Sequence, residues 1–243
     1  GKREMRMQDH IQEDLIFDLG LHKGCDAEYY LKKGFLVVGL EAVPSLAEIS
    51  EQKLKNWNDR ITIVNKALFD GHGEKVTFYT VPDKDDWGSL DRNTAEKGVA
   101  KAVEITVETV DLPWMFDTFG VPHYIKCDME GADIIFRKQL LREARRPRFV
   151  SIEMNDGDEG KIMKECGYEV GQIVNQWMHY FRQSPNPARE GTFVPTQFTG
   201  EMSGLFGRDL SPDKWVPLDE IEEIYRKWKF LRDFDDFLAP GWV

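Results

Sequence analysis

The chain has 243 residues, of which 41% are hydrophobic, and this is enough for one large α/β domain with its own core, so we expect a single domain over residues 1–243. Its formal net charge of −11 argues against a long nucleic acid as the partner, because that affinity comes mainly from lysine and arginine. Its three cysteines are too few and too far apart for a disulfide framework or a C-x-x-C zinc site, and they indicate a reducing compartment.

The first two thirds of the chain alternate strand-like and helix-like segments, the order typical of parallel βαβ units. Strands are predicted over residues 15–18, 36–41 and 61–65, with helices over 26–33 and 45–57 between them. Further strands are predicted over 75–81, 103–107, 124–128 and 149–153, and further helices over 110–119 and 132–141. The pattern predicts an α/β fold with a mostly parallel sheet.

The composition changes beyond a strand predicted over 168–174. Residues 176–217 are rich in aromatic and turn-forming residues, which is typical of a lid or a binding loop. An amphipathic helix that docks on the core is predicted over 218–238. We therefore expect a cofactor-binding core over 14–171 and an extension over 172–243. In that extension Trp177, His179, Tyr180 and Trp215 form either an acceptor-binding lid or an apolar patch under the last helix.

An unusual loop follows the first predicted strand, reading D-x-G-x-H-x-G from Asp18 through Gly20 and His22 to Gly24. Because glycine has no Cβ and tolerates positive φ, a strand that ends in this way lets the backbone approach a ligand. The next predicted strand ends in Glu41, whose carboxylate can accept hydrogen bonds from both hydroxyls of a ribose. Together these features predict an adenosine-binding edge.

The spacing of this loop separates two kinds of adenosine cofactor. It is not the G-x-G-x-x-G of dinucleotide-binding folds, whose tight helix N-terminus serves a pyrophosphate. The carboxylate of Asp18 would repel a pyrophosphate, whereas it would attract the ammonium and sulfonium charges of S-adenosylmethionine. The loop therefore favours S-adenosylmethionine over NAD.

Acidic side chains end two later strands of the predicted sheet. Asp128 and Glu130 follow one strand, and Glu153 ends the next. Ligands of open α/β sheets bind at this edge. Clustered carboxylates must be protonated, paired with a cation such as Lys126, or bound to a metal ion. Two roles stay open for them, general base and ligand of a hard metal ion.

The same segments resemble a known family, the FkbM-type S-adenosylmethionine-dependent methyltransferases. The resemblance covers about residues 14 to 170, and its most distinctive element is K-x-D-x-E-G-A-D, from Lys126 to Asp133. It implies a class I methyltransferase fold, which is Rossmann-like and doubly wound around a mostly parallel seven-stranded sheet, here followed by the aromatic-rich extension. The matching stretches are residues 17–24, 39–44, 64–68, 88–90, 125–133 and 151–154.

The resemblance also implies roles for individual residues. Asp18, Gly20, His22 and Gly24 would line the methionine part of the cofactor, Glu41 would hold the ribose, Asn65, Lys66 and Ala67 would approach the adenine, and Asp128 would also border the cofactor. The candidate catalytic residues are Asp128, Glu130, Lys126 and His22. For His22 three roles stay open, namely holding the backbone, contacting the cofactor's carboxylate and acting as a base.

Members of this family mostly methylate hydroxyls of sugars and other small compounds, which implies a sugar or glycoside as the acceptor. The acceptor hydroxyl must lose its proton, and we expect Asp128 or Glu130 to take it, or to bind Mg²⁺ together with Glu153. Two other functions stay open: an NAD-dependent or nucleotide-sugar oxidoreductase, and a non-catalytic protein that binds an adenosyl ligand.

The sequence also bears on location and partners. No apolar stretch approaches the roughly 20 residues that span a bilayer. The polar start Gly1-Lys2-Arg3-Glu4 is unlike a secretory signal. We therefore expect a cytoplasmic protein that has no membrane span, binds no nucleic acid and takes a small-molecule acceptor, with a homo-oligomer left open.

Overall fold

A computed structural model describes residues 10–81, 84–96, 102–155 and 157–234. The chain forms two compact units, Gly1–Ser151 and Ile152–Val243. Their boundary falls inside the segment predicted as the cofactor-binding core, and the division at residue 172 stays a prediction. Among the helices in the described ranges, none is long and apolar enough to cross a bilayer.

The elements of the first unit follow the predicted order. In chain order they are β1 Ile11–Leu19, α1 Cys25–Lys32, β2 Leu36–Leu40, α2 Pro44–Leu54, β3 Ile61–Val64, β4 Ala67–Leu68, β5 Lys75–Val81, β6 Lys84–Ser89, α3 Arg92–Glu96, β7 Val103–Val110, α4 Leu112–Phe119, β8 Val121–Cys127, α5 Asp133–Arg142 and β9 Phe149–Ser151. Proline at the start of α2 and α4 pre-sets the helical φ. The Asp111 carboxylate also caps α4 by accepting the Trp114 N–H at 2.8 Å.

The central sheet has the order β3-β2-β1-β8-β9 with every pair parallel. Strand order reverses between β1 and β8, which makes this the switch point where ligands of doubly wound folds bind. The register pairs Leu19 of β1 with Leu40 of β2 and with Cys127 of β8. The loops that follow these three strands therefore start at one edge.

The predicted mostly parallel α/β sheet is confirmed, but the predicted count of seven strands is not. Among the described residues the central sheet has five strands. β4 pairs with β7 instead, in a separate four-stranded sheet of order β4-β7-β5-β6. In that sheet β5 runs antiparallel to both of its neighbours.

The core of the first unit lies on β1 and β8. All seven residues of β8 are buried, as expected of an inner strand of a parallel sheet. Phe17 of β1 is fully buried, and its ring lies 6.0 Å from that of Phe116 on α4. Phe136 and Leu140 of α5 are fully buried as well.

The second unit has few regular elements. They are α6 Glu159–Glu165, β10 Val170–Gly171, β11 Val216–Pro217 and α7 Leu218–Phe234, with 3-10 turns at Gln176–Phe181, Gly207–Asp209 and Pro212–Lys214. The predicted strand over 168–174 is thus reduced to two residues, because its antiparallel partner has only two. The helices α6 and α7 pack closely, since a Cβ on Gly160 would lie 2.9 Å from Ile221. The predicted last helix is confirmed to Phe234, and residues 235–238 lie outside the described ranges.

Candidate active site

The loop after β1 is fixed to both neighbouring strands. The backbone N–H groups of Gly20 and Leu21 donate to the Leu40 carbonyl at 3.0 and 2.9 Å, and the Asp128 N–H donates to the Leu19 carbonyl at 3.0 Å. Gly20 has a φ of 85°, and a Cβ there would lie 1.8 Å from the Asp128 carbonyl oxygen. Because no side chain fits at that distance, this position requires glycine.

Glu41 stands at the end of β2 with both carboxylate oxygens held by the backbone. Oε2 accepts the His22 N–H at 2.8 Å and Oε1 accepts the Val43 N–H at 2.9 Å. Burial raises the pKa of the Glu41 carboxyl, and the two amide hydrogen bonds oppose that rise. A carboxylate offers about four acceptor positions. Glu41 is therefore oriented by the loop and can still accept from a ligand.

His22 and Asn65 hold this arrangement in place. His22 adopts a φ of 52°, which turns its N–H toward Glu41, and its carbonyl accepts the Ser50 hydroxyl at 2.7 Å. The Asn65 side-chain amide donates to the carbonyls of Glu41 and Ala42 at 2.8 and 3.3 Å. These contacts involve only backbone atoms of His22, so the three roles open for its side chain stay predictions.

A buried charge cluster lies beneath the loop, centred on the Lys126 ammonium of β8. Its Nζ is 3.2 Å from Asp18 Oδ1, 3.4 Å from Asp26 Oδ2 and 3.8 Å from Asp128 Oδ2, and it also donates to the Gly20 carbonyl at 3.1 Å. Lys126 is 5% exposed and Asp18 is fully buried. One ammonium therefore faces three carboxylates, and the cluster carries an excess of negative charge.

Burial and the neighbouring charges together govern protonation in the cluster. Burial raises the pKa of Asp18 to about 7, although the attraction of Lys126 opposes the rise. Asp18 Oδ2 is buried and accepts no hydrogen bond from the described residues. Burial disfavours the charged form of Lys126, but Asp18, Asp26 and Asp128 outweigh it and raise the pKa of this ammonium well above its ordinary value. Lys126 thus keeps its proton and cannot serve as a base.

Three predicted cofactor contacts have neighbours within the chain. Gly24 has a φ of 74° and a Cβ there would lie 3.0 Å from Leu54, so the left-handed backbone and the packing on α2 together favour glycine at this position. Lys66 forms an ion pair with Glu108 on β7, and Ala67 is buried in β4. Their roles toward a cofactor stay predictions.

The predicted catalytic carboxylates occupy the turn between β8 and α5. The Asp128 side chain is 56% exposed, and Glu130 is half-buried. Asp133 Oδ1 closes the turn by accepting from the Met129 N–H at 3.2 Å. Glu153 belongs to the second unit. Within the described ranges no group of three or more His, Cys, Asp or Glu side chains is arranged to hold a metal ion, so the metal set of Asp128, Glu130 and Glu153 stays a prediction without geometric support.

The aromatic residues predicted as a lid or a patch differ in exposure. His179 is buried, Tyr180 is 54% exposed and Trp215 is half-buried. The side chain of Trp177 lies outside the described part of the structure. Both alternatives therefore stay open for this set.

Comparison with known families bears on the function of this edge. The family model described as "Methyltransferase FkbM domain" matches residues 18–179, which is more than half of the chain. The chain belongs to the FkbM methyltransferase family. Among proteins with curated descriptions, none matches it significantly. The matched segment begins at Asp18, at the carboxyl end of β1, and it contains both Glu41 and Lys126.

Sequence reasoning missed two parts of this FkbM methyltransferase site. Asp26 is 4% exposed and is one of the three carboxylates around Lys126. The second is the buried Tyr124 hydroxyl of β8, which lies 2.6 Å from Ser151 Oγ. The available signal for Asp26 was its four-residue spacing from Tyr30, another buried residue of α1, which places both on the same face of that helix. It was obscured because an acidic residue in the first turn of a helix is already expected from the helix dipole.

Proposed function

We propose that the protein is an S-adenosylmethionine-dependent O-methyltransferase that acts on a hydroxyl of a sugar or another small molecule. The observation that carries this proposal is the geometry of Glu41, a carboxylate at the end of β2 whose oxygens are both oriented by loop amides. Such a group suits the paired hydroxyls of a ribose. Membership of the FkbM methyltransferase family supports the reaction class.

The charge of the cluster around Lys126 fits this cofactor better than a dinucleotide. S-adenosylmethionine carries an ammonium and a sulfonium against one carboxylate, whereas NAD carries a pyrophosphate. Three carboxylates around one ammonium favour the cation and repel the pyrophosphate. The buried Asp18 Oδ2 adds an acceptor without a partner among the described residues. When bound, the cofactor supplies a methyl group attached to positively charged sulfur.

The chain's own residues would orient the acceptor and move one proton. Lys126 stays protonated and holds Asp18 and the Gly20 carbonyl, which keeps the loop in place. Asp128 is an exposed carboxylate at the same edge, and Glu130 follows it in the turn. We assign removal of the acceptor's proton to one of these two carboxylates. Alignment of the acceptor with the methyl group and exclusion of water would supply the rest of the rate enhancement.

Titration of the full chain with S-adenosylhomocysteine and, separately, with NAD tests cofactor choice. We expect S-adenosylhomocysteine to bind and NAD not to bind. Glu41→Gln should weaken the affinity for S-adenosylhomocysteine by more than about tenfold, since an amide nitrogen cannot accept a hydrogen bond from a ribose hydroxyl. Glu48→Gln, an exposed position on α2, is the matched control and should bind like the wild type. Preference for NAD, or no binding by the wild type, would reject the proposal.

A second experiment separates the two carboxylates and the metal. Glu130→Gln should keep cofactor affinity, whereas Asp128→Asn should weaken it, because it removes one of the three carboxylates around Lys126. At saturating cofactor, the variant that replaces the proton acceptor should lower turnover by about 10²–10⁴-fold. Unchanged turnover in both variants would remove this role from the turn. If Mg²⁺ takes part, a chelator should abolish turnover and added Mg²⁺ should restore it.

A further inference from the structure

The charge cluster at the sheet edge sets two buried carboxyl groups against one ammonium. Asp18, Asp26 and Lys126 are all buried. The Lys126 Nζ lies 3.2 Å from Asp18 Oδ1 and 3.4 Å from Asp26 Oδ2, so the same ammonium serves both acids. Asp128, the third acid near this ammonium, is exposed to solvent. With both buried acids ionised, the three buried side chains would carry a net charge of one electron.

Such a charge is costly inside a protein, and a buried carboxyl group avoids it by keeping a proton or by meeting a cation. The two buried acids differ in their suitability for the proton. Asp26 lies in the first turn of α1, where the helix dipole favours a negative charge. Asp18 lies on the inner strand β1, and its Oδ2 is buried without a hydrogen-bond partner among the described residues. The proton therefore belongs on Asp18.

The groups that surround Asp18 agree with this assignment. Charged and titratable side chains face Asp18 or its partner ammonium from each neighbouring element, namely Asp26 and Tyr30 of α1, Lys126 and Tyr124 of β8, Asp128 in the turn after β8, and Glu41 at the end of β2. Burial raises the pKa of Asp18 to about 7; Lys126 opposes the rise, whereas Asp26 and Asp128 add to it. Burial also raises the pKa of both tyrosines, so they stay neutral.

A ligand cation at the loop would neutralise the same charge as the proton. Both S-adenosylmethionine and S-adenosylhomocysteine carry a primary ammonium in their methionine part, which the loop from Asp18 to Gly24 is predicted to line. Direct contact with the buried oxygen is not required, because charges interact strongly across a few ångströms of low-dielectric interior. The proton and the ligand ammonium therefore compete, since each makes the other unfavourable.

We propose that Asp18 is a proton–cation exchange site: the free protein holds a proton there, and binding of the cofactor's ammonium expels it. The exchange rests on the proposed function, whereas the proton is a property of the free protein and is measurable without a ligand. Cofactor affinity then rises with pH through the neutral range, and acidification weakens loading of the methyl donor.

Infrared titration of the free full chain tests for the proton. We expect the C=O band of a protonated carboxyl group that is present at about pH 6 and lost by about pH 8. Asp18→Asn should remove this band, and Asp26→Asn should weaken it at about pH 6, because one ammonium then serves a single buried carboxylate. Asp14→Asn, an exposed position on β1, is the matched control and should keep it. Absence of the band in the wild type, or its persistence in Asp18→Asn, would overturn the inference.

Calorimetric titration with S-adenosylhomocysteine, in two buffers of different ionisation enthalpy, tests the exchange. We expect nearly one proton released per ligand bound at about pH 6, almost none at about pH 8, and an affinity about tenfold higher at the higher pH. Asp18→Asn should bind without this release and without this pH dependence, whereas Asp14→Asn should match the wild type. A cooperative unfolding transition in each variant verifies that a lost signal is not loss of the fold.

His22 is the alternative source of a released proton, because histidine ordinarily titrates near neutral pH and His22 lies in the same loop. His22→Gln should therefore still release the proton. Release that disappears in His22→Gln but persists in Asp18→Asn would overturn the inference. Binding of S-adenosylhomocysteine without proton release at about pH 6 would reject the exchange alone, whereas no binding at any pH would reject the methyltransferase proposal and the exchange together.

Discussion

The edge of the central sheet and the turn before Arg182, Gln176–Phe181, differ in whether the cation they carry is paired by other described residues. At the sheet edge, Lys126 is 5% exposed and lies within 3.4 Å of both Asp18 and Asp26. At the turn, Arg182 is half-buried and has no such partner among the described residues. A buried charge that is paired inside the protein becomes part of the folded framework, and breaking that pair is strongly destabilising. A half-buried charge that no described residue pairs contributes little to the fold.

The largest expected effect comes from removing the central charge of the sheet edge. Lys126→Met leaves the carboxylates of Asp18 and Asp26 buried without a cation, and it should lower the free energy of unfolding by about 3–5 kcal/mol. Arg182→Met, the matched change at the turn, breaks no ion pair or side-chain hydrogen bond with the described residues and should change the free energy of unfolding by less than about 0.5 kcal/mol. Denaturant unfolding of both variants measures the difference.

A double variant sharpens this result. Adding Asp18→Asn to Lys126→Met removes the buried carboxylate that lies closest to Lys126 Nζ and should recover part of the lost stability. Equal destabilisation by Lys126→Met and Arg182→Met, or no recovery in the double variant, would contradict the contrast between the two regions.

Glycine substitutions compare the rigidity of the two regions. Gly20→Ala forces a Cβ onto the Asp128 carbonyl at 1.8 Å and should cost about 3 kcal/mol or more in unfolding free energy. Gly204→Ala meets the His179 ring at 2.6 Å, which can shift, and should cost less. Gly73→Ala has a φ of 78° and nothing within 4 Å, so it reports the left-handed strain alone, about 1–2 kcal/mol. A cost for Gly20→Ala no larger than that for Gly73→Ala would mean that the loop can move.

The sheet edge was largely predictable because parallel strands bring their carboxyl ends together. The order of segments, the glycine loop, Glu41 and the turn at Asp128 all follow from local patterns that end strands. The partners of Lys126 did not follow, since Asp18 lies 108 positions away and Asp26 is on a helix. The number of strands in the sheet also escaped prediction, because pairing of β4 with β7 depends on contacts distant in sequence.

The second unit resisted prediction for a different physical reason. Its irregular segments are held by side-chain to backbone bonds, which have no period in sequence. Asp209 Oδ1 accepts the N–H groups of Arg189 and Glu190 at 2.8 and 3.1 Å across about twenty positions. A composition rich in aromatic and turn residues indicates such a segment, but it does not show which side chain bonds to which backbone group.

The two hydrogen bonds accepted by Asp209 allow a test within the second unit, with a smaller expected effect on stability. Asp209→Ala leaves two backbone N–H groups without their acceptor and should lower the free energy of unfolding by about 2 kcal/mol. Asp209→Asn keeps an oxygen at the same place and is the matched control. Thermal unfolding of both variants measures the effect. If the two variants melt together well below the wild type, charge rather than the hydrogen bonds explains the role of Asp209.

The smallest effect is a pH dependence that only the sheet edge should show. The pKa of Asp18 is raised from 3.8 to about 7 in the folded state, so its stabilising contribution is complete below about 4 and is lost as the pH rises through about 7. Lys126 adds no slope there, because its raised pKa acts only at alkaline pH. Between about pH 6 and pH 7 the wild type should therefore lose about 1 kcal/mol of unfolding free energy relative to Asp18→Asn, which has no proton to release. Parallel curves for the two proteins would mean that Lys126 keeps Asp18 ionised over this range, and the cluster would then carry its full negative charge near neutral pH.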